Sequence, residues 1–253
     1  NELSLLKRMI DNSYHGKLLY LEKNHHLRQN PALFLSGAKT IVVVLMSYKP
    51  AVKQKEGKLR IASYAYGKDY HMVLKERMHL LAKEFTNIDN GAKYRVFSDS
   101  APIFERALAK KGGLGFIGKN TFLISKEHGL HTFIGTIITD FELDNYNTYP
   151  QVTPACGSCT KCIDACPTGA LVGPYVIDVR RCISYMTIED RELYLRGADS
   201  KEREGMIFGC DICLEACPWS RRGERTKIEE FSPIRLSNGS EVISLESNEW
   251  LEM

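Results

Sequence analysis

No stretch of this 253-residue sequence is apolar for long enough to cross a bilayer, and no apolar segment opens it. A membrane-embedded protein and a secreted, disulfide-stapled domain are therefore both set aside. The net charge of +3 is too small to argue nucleic-acid binding by itself, although it leaves room for a local basic patch. No low-complexity tract interrupts the chain. At 43% hydrophobic and 26% charged residues, the composition is that of an ordinary globular protein. The expectation is a soluble chain in a reducing, cytoplasmic setting.

What the chain does have is cysteine. Eight fall in two clusters in its back half. The first is Cys156-x2-Cys159-x2-Cys162-x3-Cys166-Pro167, and the second is Cys210-x2-Cys213-x3-Cys217-Pro218, with Cys182 alone upstream. In the C-x2-C-x2-C-x3-C-P run of bacterial ferredoxins, three thiolates hold one 4Fe–4S cube and the fourth reaches across to the other. By that logic Cys156, Cys159, Cys162 and Cys217 hold one cluster. Cys166, Cys182, Cys210 and Cys213 hold the second, and every cysteine is used. A zinc site needs four ligands and separates its C-x2-C pairs by a longer loop, so zinc fits less well.

A two-cluster ferredoxin module needs only a few dozen residues, yet about 150 precede it, enough for a domain with its own core. The expected division is a front domain over 1–150, a cluster domain over 151–225 and a tail over 226–253. The front domain reads as mixed α and β. Residues 40–46 are a continuous β-branched and apolar run, as in a strand buried on both faces. Helical periodicity over 68–85 turns Tyr70, Leu74, Met78, Leu81 and Phe85 inward. A strand is expected over 93–98, then a helix over 101–111 capped by Asp99 or Ser100 and stopped by Gly112-Gly113. Two further strands are expected over 122–124 and 132–138.

The densest unusual stretch is Asp99-Ser-Ala-Pro-Ile-Phe-Glu-Arg106, continuing through Gly112-Gly-Leu-Gly-Phe-Ile-Gly-Lys-Asn-Thr121. Its glycines permit close backbone approach to something flat or bulky. A phosphate loop is the rival reading, but Gly113-x4-Gly118-Lys119 is followed by Asn120 rather than Ser or Thr. A dinucleotide fingerprint matches in letters but follows a helix instead of a strand.

This block is similar to that of the epoxyqueuosine reductases. So are Tyr64-Ala-x-Gly-x-Asp-Tyr-His71, Cys182-Ile-Ser-Tyr-x-Thr-Ile-Glu189 and Gly209-Cys-Asp-Ile-Cys213 with Cys217-Pro-Trp219. The match runs from about Leu21 to Trp219. Ser63, Phe116 and Ser220 depart from the family's usual residues, and the sequence is shorter than usual at both ends. The resemblance implies a nitroreductase-like α/β cobalamin-binding domain fused to a ferredoxin-like domain, an α+β chain overall. It also implies reduction of the epoxide of epoxyqueuosine at the wobble position of tRNA. Electrons would come from an external flavodoxin- or ferredoxin-like donor, through two 4Fe–4S clusters to cobalamin.

Opening an epoxide reductively needs electrons at carbon and a proton for the departing oxygen. The family's proton donor matches Asp99, which would have to be desolvated to stay protonated near neutrality. A plain helix cap is the bland reading of the same residue. The corrin would be contacted by Arg28, the Ala62 segment, Asp99, Leu123, Ile134, Ser184, Cys210 and Asp211. Without a D-x-H-x-x-G pattern, base-off cobalamin is expected, with His71 packed or hydrogen-bonded rather than bound to cobalt. Arginines gather at 180, 181, 191, 196, 221, 222 and 225, and Arg191, Arg221 and Arg222 are the candidates for gripping tRNA. The expected form is a monomer. A reductive dehalogenase and a non-catalytic electron carrier remain as alternatives.

Overall fold

The two richest β-branched runs of the sequence pair with each other. In the computed structural model, which describes residues 2–54, 59–143, 149–190, 192, 204–237 and 240–244, helices α1 (Glu2–Asp11) and α2 (His25–Gln29) lead into strand β1 (Thr40–Ser47). Strand β2 (Arg60–Ile61), helix α3 (Tyr70–Ile88), strand β3 (Tyr94–Phe97) and helix α4 (Glu105–Lys111) follow. Strands β4 (Phe116–Ile117), β5 (Leu123–Ile124) and β6 (Thr132–Thr139) complete the front half. β6 is the middle strand, with β1 and β3 antiparallel on either side.

Side chains alternate across β6 with the two-residue period of a strand. Phe133 and Ile137 join Val73, Leu74, Met78, Ala82 and Phe85 of α3 in the main core. Ile138 turns the other way, into a second core with Phe97 and Ile103, against which Leu108 of α4 packs. The sheet is thus sandwiched between α3 and α4. Gly135 makes the α3 contact possible, because a Cβ there would collide with the Met78 sulfur.

Three expectations need correction. The run at 40–46 is an edge strand whose side chains beyond Thr40 are only half-buried, not a strand enclosed on both faces. Leu81 faces solvent, and Val73 and Ala82 take the inward positions instead. Helix α4 starts at Glu105, not at Ala101, and no side chain caps its first turn. By contrast, α3 opens where its cap dictates, with Asp69 accepting the His71 N–H at 2.9 Å.

The back half is built from short pieces: α5 (Lys161–Asp164), β7 (Leu171–Gly173), β8 (Val176–Ile177), α6 (Ile183–Ile188), β9 (Met206–Phe208) and α7 (Ile212–Glu215). α5 and α7 sit at matching places in the two cysteine motifs and pack on each other. β9 pairs in parallel with β2, joining the two halves. The chain after Cys217 returns to the front half: the Thr226 N–H donates to Lys49 O at 2.8 Å, and Phe231 packs edge-on against Phe133. Among the described residues no helix is long and apolar enough to cross a membrane.

Candidate functional site

Between the two halves lies a cavity of about 1620 Å³. That exceeds the roughly 300–1,000 Å³ of a pocket for a drug-sized ligand. Arg28, Asp99, Leu123, Ile134, Ser184, Cys210 and Asp211 all line it. Ala62 does not. It is fully buried against Ile183 and Met206, while its neighbours Ile61 and Tyr64 reach the wall. In extended chain adjacent side chains point oppositely, which turns Ala62 away from the wall that Ile61 reaches.

The eight cysteines are free thiols and separate into the two expected sets. Cys156, Cys159, Cys162 and Cys217 surround a small cavity of about 150 Å³, while Cys166, Cys182, Cys210 and Cys213 line the large one. Electrostatics couple them mainly within each set, although Cys213 is also raised by Cys162 of the other. Cys210 is pushed up to about 12 by burial first, then by the nearby Cys182 and Cys166 among other groups. Cys217 is raised by burial and by Cys162, Cys156 and Cys159. Cys166 moves down despite burial, because Thr168 and backbone N–H groups such as that of Ala170, at 3.2 Å, hydrogen-bond its sulfur. Among the described residues no three such ligands converge tightly enough for a single metal ion.

Lys119 belongs to this scaffold. Its ammonium donates to Gly157 O at 2.7 Å and to Cys159 O at 2.9 Å, bracing the first cysteine loop rather than offering itself to a phosphate. The glycine-rich block serves internal packing too. A Cβ on Gly115 would collide with the Ile124 carbonyl, so the close approach is to β5 and not to a ligand.

Asp99 stands in the turn between β3 and α4, in the left-handed region at φ 51°. Its side chain caps nothing. Instead the Asp99 N–H donates to both carboxylate oxygens of Glu105, at 3.0 and 3.2 Å. The Tyr70 hydroxyl donates to Asp99 Oδ2 at 2.9 Å. Tyr70 is itself clamped, with its ring stacked on Phe133 at 4.1 Å and on His71 at 4.0 Å. Burial, followed by the Asp99 carboxylate, raises the Tyr70 hydroxyl well above the usual phenol range, so it stays a donor. Glu105 is pushed up to about 7, chiefly by burial. Asp99 is exposed on the cavity side, so the protein's own side chains do not supply the desolvation expected for an acid. Sequence alone marks Tyr70 as a helical core position within a family-like motif and assigns Glu105 no role. The cap signal Asp69-Tyr-His71 was the clue to the first, since it sets Tyr70 at the helix mouth.

The residues present fit a large, flat cofactor with a polar rim. The cavity walls combine apolar side chains with buried donors that have no protein partner, Arg28 Nε and Asn120 Nδ2. Burial lowers the Arg28 guanidinium's affinity for its proton, and its face lies over Phe104 at 5.8 Å. Asp211 is buried and accepts the Ser63 N–H at 2.6 Å, fixing the turn beside Cys210. His71 is hydrogen-bonded as expected, through Nδ1 to Asp69 at 2.7 Å.

Of the tRNA candidates, Arg221 and Arg222 are exposed, with Arg222 lying over Trp219 at 5.8 Å. Arg191 lies outside the described residues. Arg180 is committed to Asp178 at 2.7 Å.

Comparison with known proteins matches two family models: "4Fe-4S double cluster binding domain" over residues 155–220 and "Epoxyqueuosine reductase QueG, DUF1730" over residues 28–100. The chain is 39% identical to the epoxyqueuosine reductase of Leadbetterella byssophila, over 92% of this chain and 75% of that one. A solved Bacillus subtilis epoxyqueuosine reductase, with its catalytic aspartate loop swung out of the active site, superposes with a TM-score of 0.73 at 31% identity. An epoxyqueuosine reductase solved with a modified tRNA stem loop gives 0.71, also at 31%. In both cases 91% of this chain and 62% of the solved one are covered. The chain belongs to the epoxyqueuosine reductase family of oxidoreductases.

Proposed function

We propose that this chain reduces the epoxide of epoxyqueuosine in tRNA, with cobalamin in the large cavity and Asp99 as proton donor. The observation that carries the reading is the sharing of one cavity by Asp99 and a complete set of four cluster cysteines. An electron source and an acid thus face the same space. Bound cobalamin would supply a low-valent cobalt as the electron donor to the epoxide carbon. Arg28, Leu123, Ile134, Ser184 and Asp211 would hold it.

The chain's own residues do the rest. Tyr70 donates to Asp99 Oδ2, which leaves Oδ1 as the oxygen that carries the proton. Loss of the epoxide oxygen as water takes two electrons and two protons. When Asp99 delivers one proton to the departing oxygen, the resulting carboxylate is met by a hydroxyl already in place, and the second proton comes from solvent. The cluster of Cys156, Cys159, Cys162 and Cys217 is the entry point for a flavodoxin- or ferredoxin-like donor, since Gly157 in its loop faces open space. The division into 1–150, 151–225 and 226–253 is supported by the double-cluster match over 155–220, and the front unit is read as nitroreductase-like. Arg191, Arg221 and Arg222 are proposed to meet tRNA phosphates. The Bacillus subtilis relative, solved with its catalytic aspartate loop swung out of the active site, supports the turn at Asp99 as the catalytic loop.

The test is anaerobic reconstitution with iron, sulfide and cobalamin, followed by nucleoside analysis of treated tRNA. Queuosine should appear, and a ribonuclease-digested substrate should react poorly. Robust dehalogenation of small molecules with no action on tRNA would favour the dehalogenase reading instead.

A further inference from the structure

Asp99 holds a backbone conformation that side-chain-bearing residues seldom adopt. Such a conformation persists only where surrounding contacts fix it. Here two side chains hold the residue: Tyr70 bonds its carboxylate, and Glu105 alone bonds its backbone. Glu105, the first residue of α4, folds back across the turn and accepts the Asp99 N–H with both carboxylate oxygens. The rest of the turn gives little help. Ser100 is exposed, Pro102 has no N–H to donate, and among the described residues the only turn-closing backbone bond in this stretch runs from Ile103 N–H to Ala101 O at 2.7 Å. On the upstream side the anchor is firm, because Ser98 is fully buried at the end of β3.

We propose that Glu105 is a positioning residue for the proton donor, holding the Asp99 turn in its left-handed form so that the carboxyl faces the cavity. The proposal rests on Asp99 being the acid. Glu105 faces Asp99, Arg106 and Lys75, and burial above all raises its proton affinity. A neutral carboxyl still offers its carbonyl oxygen to the Asp99 N–H, so the bond outlasts protonation. The role is therefore that of an acceptor at a fixed reach, not of a charge. An acidic residue that merely favoured the start of α4 would act through its charge and would leave the Asp99 turn untouched.

Three variants of the cluster- and cobalamin-loaded protein separate these roles: Glu105→Gln, Glu105→Ala and Glu105→Ser. Glutamine keeps an acceptor oxygen at the same reach, whereas alanine and serine cannot span the turn. Two measurements are made on each: amide hydrogen exchange of the peptide spanning 97–104, and single-turnover epoxide reduction at saturating tRNA. Glu105→Gln should keep the protection and a rate close to wild type. Glu105→Ala and Glu105→Ser should lose the protection and slow turnover by about 100-fold, the scale of a roughly 1 Å misplacement of a reacting group. KM for tRNA and the corrin spectrum should not move. Serine serves if the alanine variant fails to fold. The proposal is overturned if exchange over 97–104 is unchanged in the short variants, or if glutamine is as damaging as alanine. If the wild type reduces no epoxide, the reading of Asp99 falls, while the exchange measurement still decides whether Glu105 holds the turn.

Discussion

Replacing Tyr70 by phenylalanine removes one oxygen from the centre of the site and leaves its packing in place. The ring should remain stacked between Phe133 and His71, and Tyr64 still meets its edge. What is lost is the 2.9 Å bond to Asp99 Oδ2. The effect on rate is set by the difference in that bond before and after the proton leaves. A hydrogen bond to a neutral partner contributes about 0.5–1.5 kcal/mol and one to a charged partner about 1.5–3 kcal/mol. The difference, about 1–1.5 kcal/mol, corresponds to a kcat roughly 5- to 13-fold lower. The assay is single-turnover reduction of epoxyqueuosine tRNA by anaerobic, cobalamin-loaded protein, with iron content and corrin spectrum as controls. A Tyr70→Phe variant with intact cofactors and wild-type kcat would refute the reasoning. So would a rise in KM with kcat unchanged, which would make Tyr70 a substrate contact instead.

Further outcomes follow from the same geometry. Cys182→Ser should lose only the cluster shared with Cys166, Cys210 and Cys213, lowering iron from about eight to about four per chain. Arg221 and Arg222 replaced together by alanine should weaken tRNA binding and flatten its salt dependence, as measured by filter binding across a salt series. Leu74 is fully buried under the sheet, and Leu74→Ala should cost about 2–5 kcal/mol in denaturant unfolding. His131, packed against Tyr48, is lowered from 6.5 to about 4 by burial, with Lys49 and Lys53 adding to the effect. The unfolded chain therefore binds a proton that the folded chain refuses, and this contribution to stability should fall as pH drops from about 6.5 to about 4. Unfolding midpoints of His131→Gln should show a shallower slope in that window.

The cysteine partition was legible because ligand spacing is local: thiolates separated by two residues share a cube, and the one that follows a three-residue gap before proline reaches across to the other. The strands at 40–46 and 132–138 were legible from their β-branched residues, but not which of them lies in the middle. That depends on a non-local pairing with β3. The start of α4 was misplaced although a signal was present, since Ala101 precedes Pro102 and a residue before proline avoids the helical region. The bond between Asp99 and Glu105 follows no period of helix or strand, so only the folded turn reveals it. Leu81 shows the limit of periodicity: it lies at the border of the inward stripe, and neighbours on both sides fill the core.

The central claim is that the Asp99 carboxyl delivers the proton in a cavity shared with a cluster and cobalamin. Asp99→Asn, loaded with cobalamin and about eight irons, tests it most directly. Asparagine keeps an oxygen for the Tyr70 hydroxyl but cannot act as an acid. Nucleoside analysis after anaerobic incubation with epoxyqueuosine tRNA should show queuosine with the wild type and none with the variant, whose corrin spectrum is unchanged. Queuosine formed by Asp99→Asn at the wild-type rate would contradict the account.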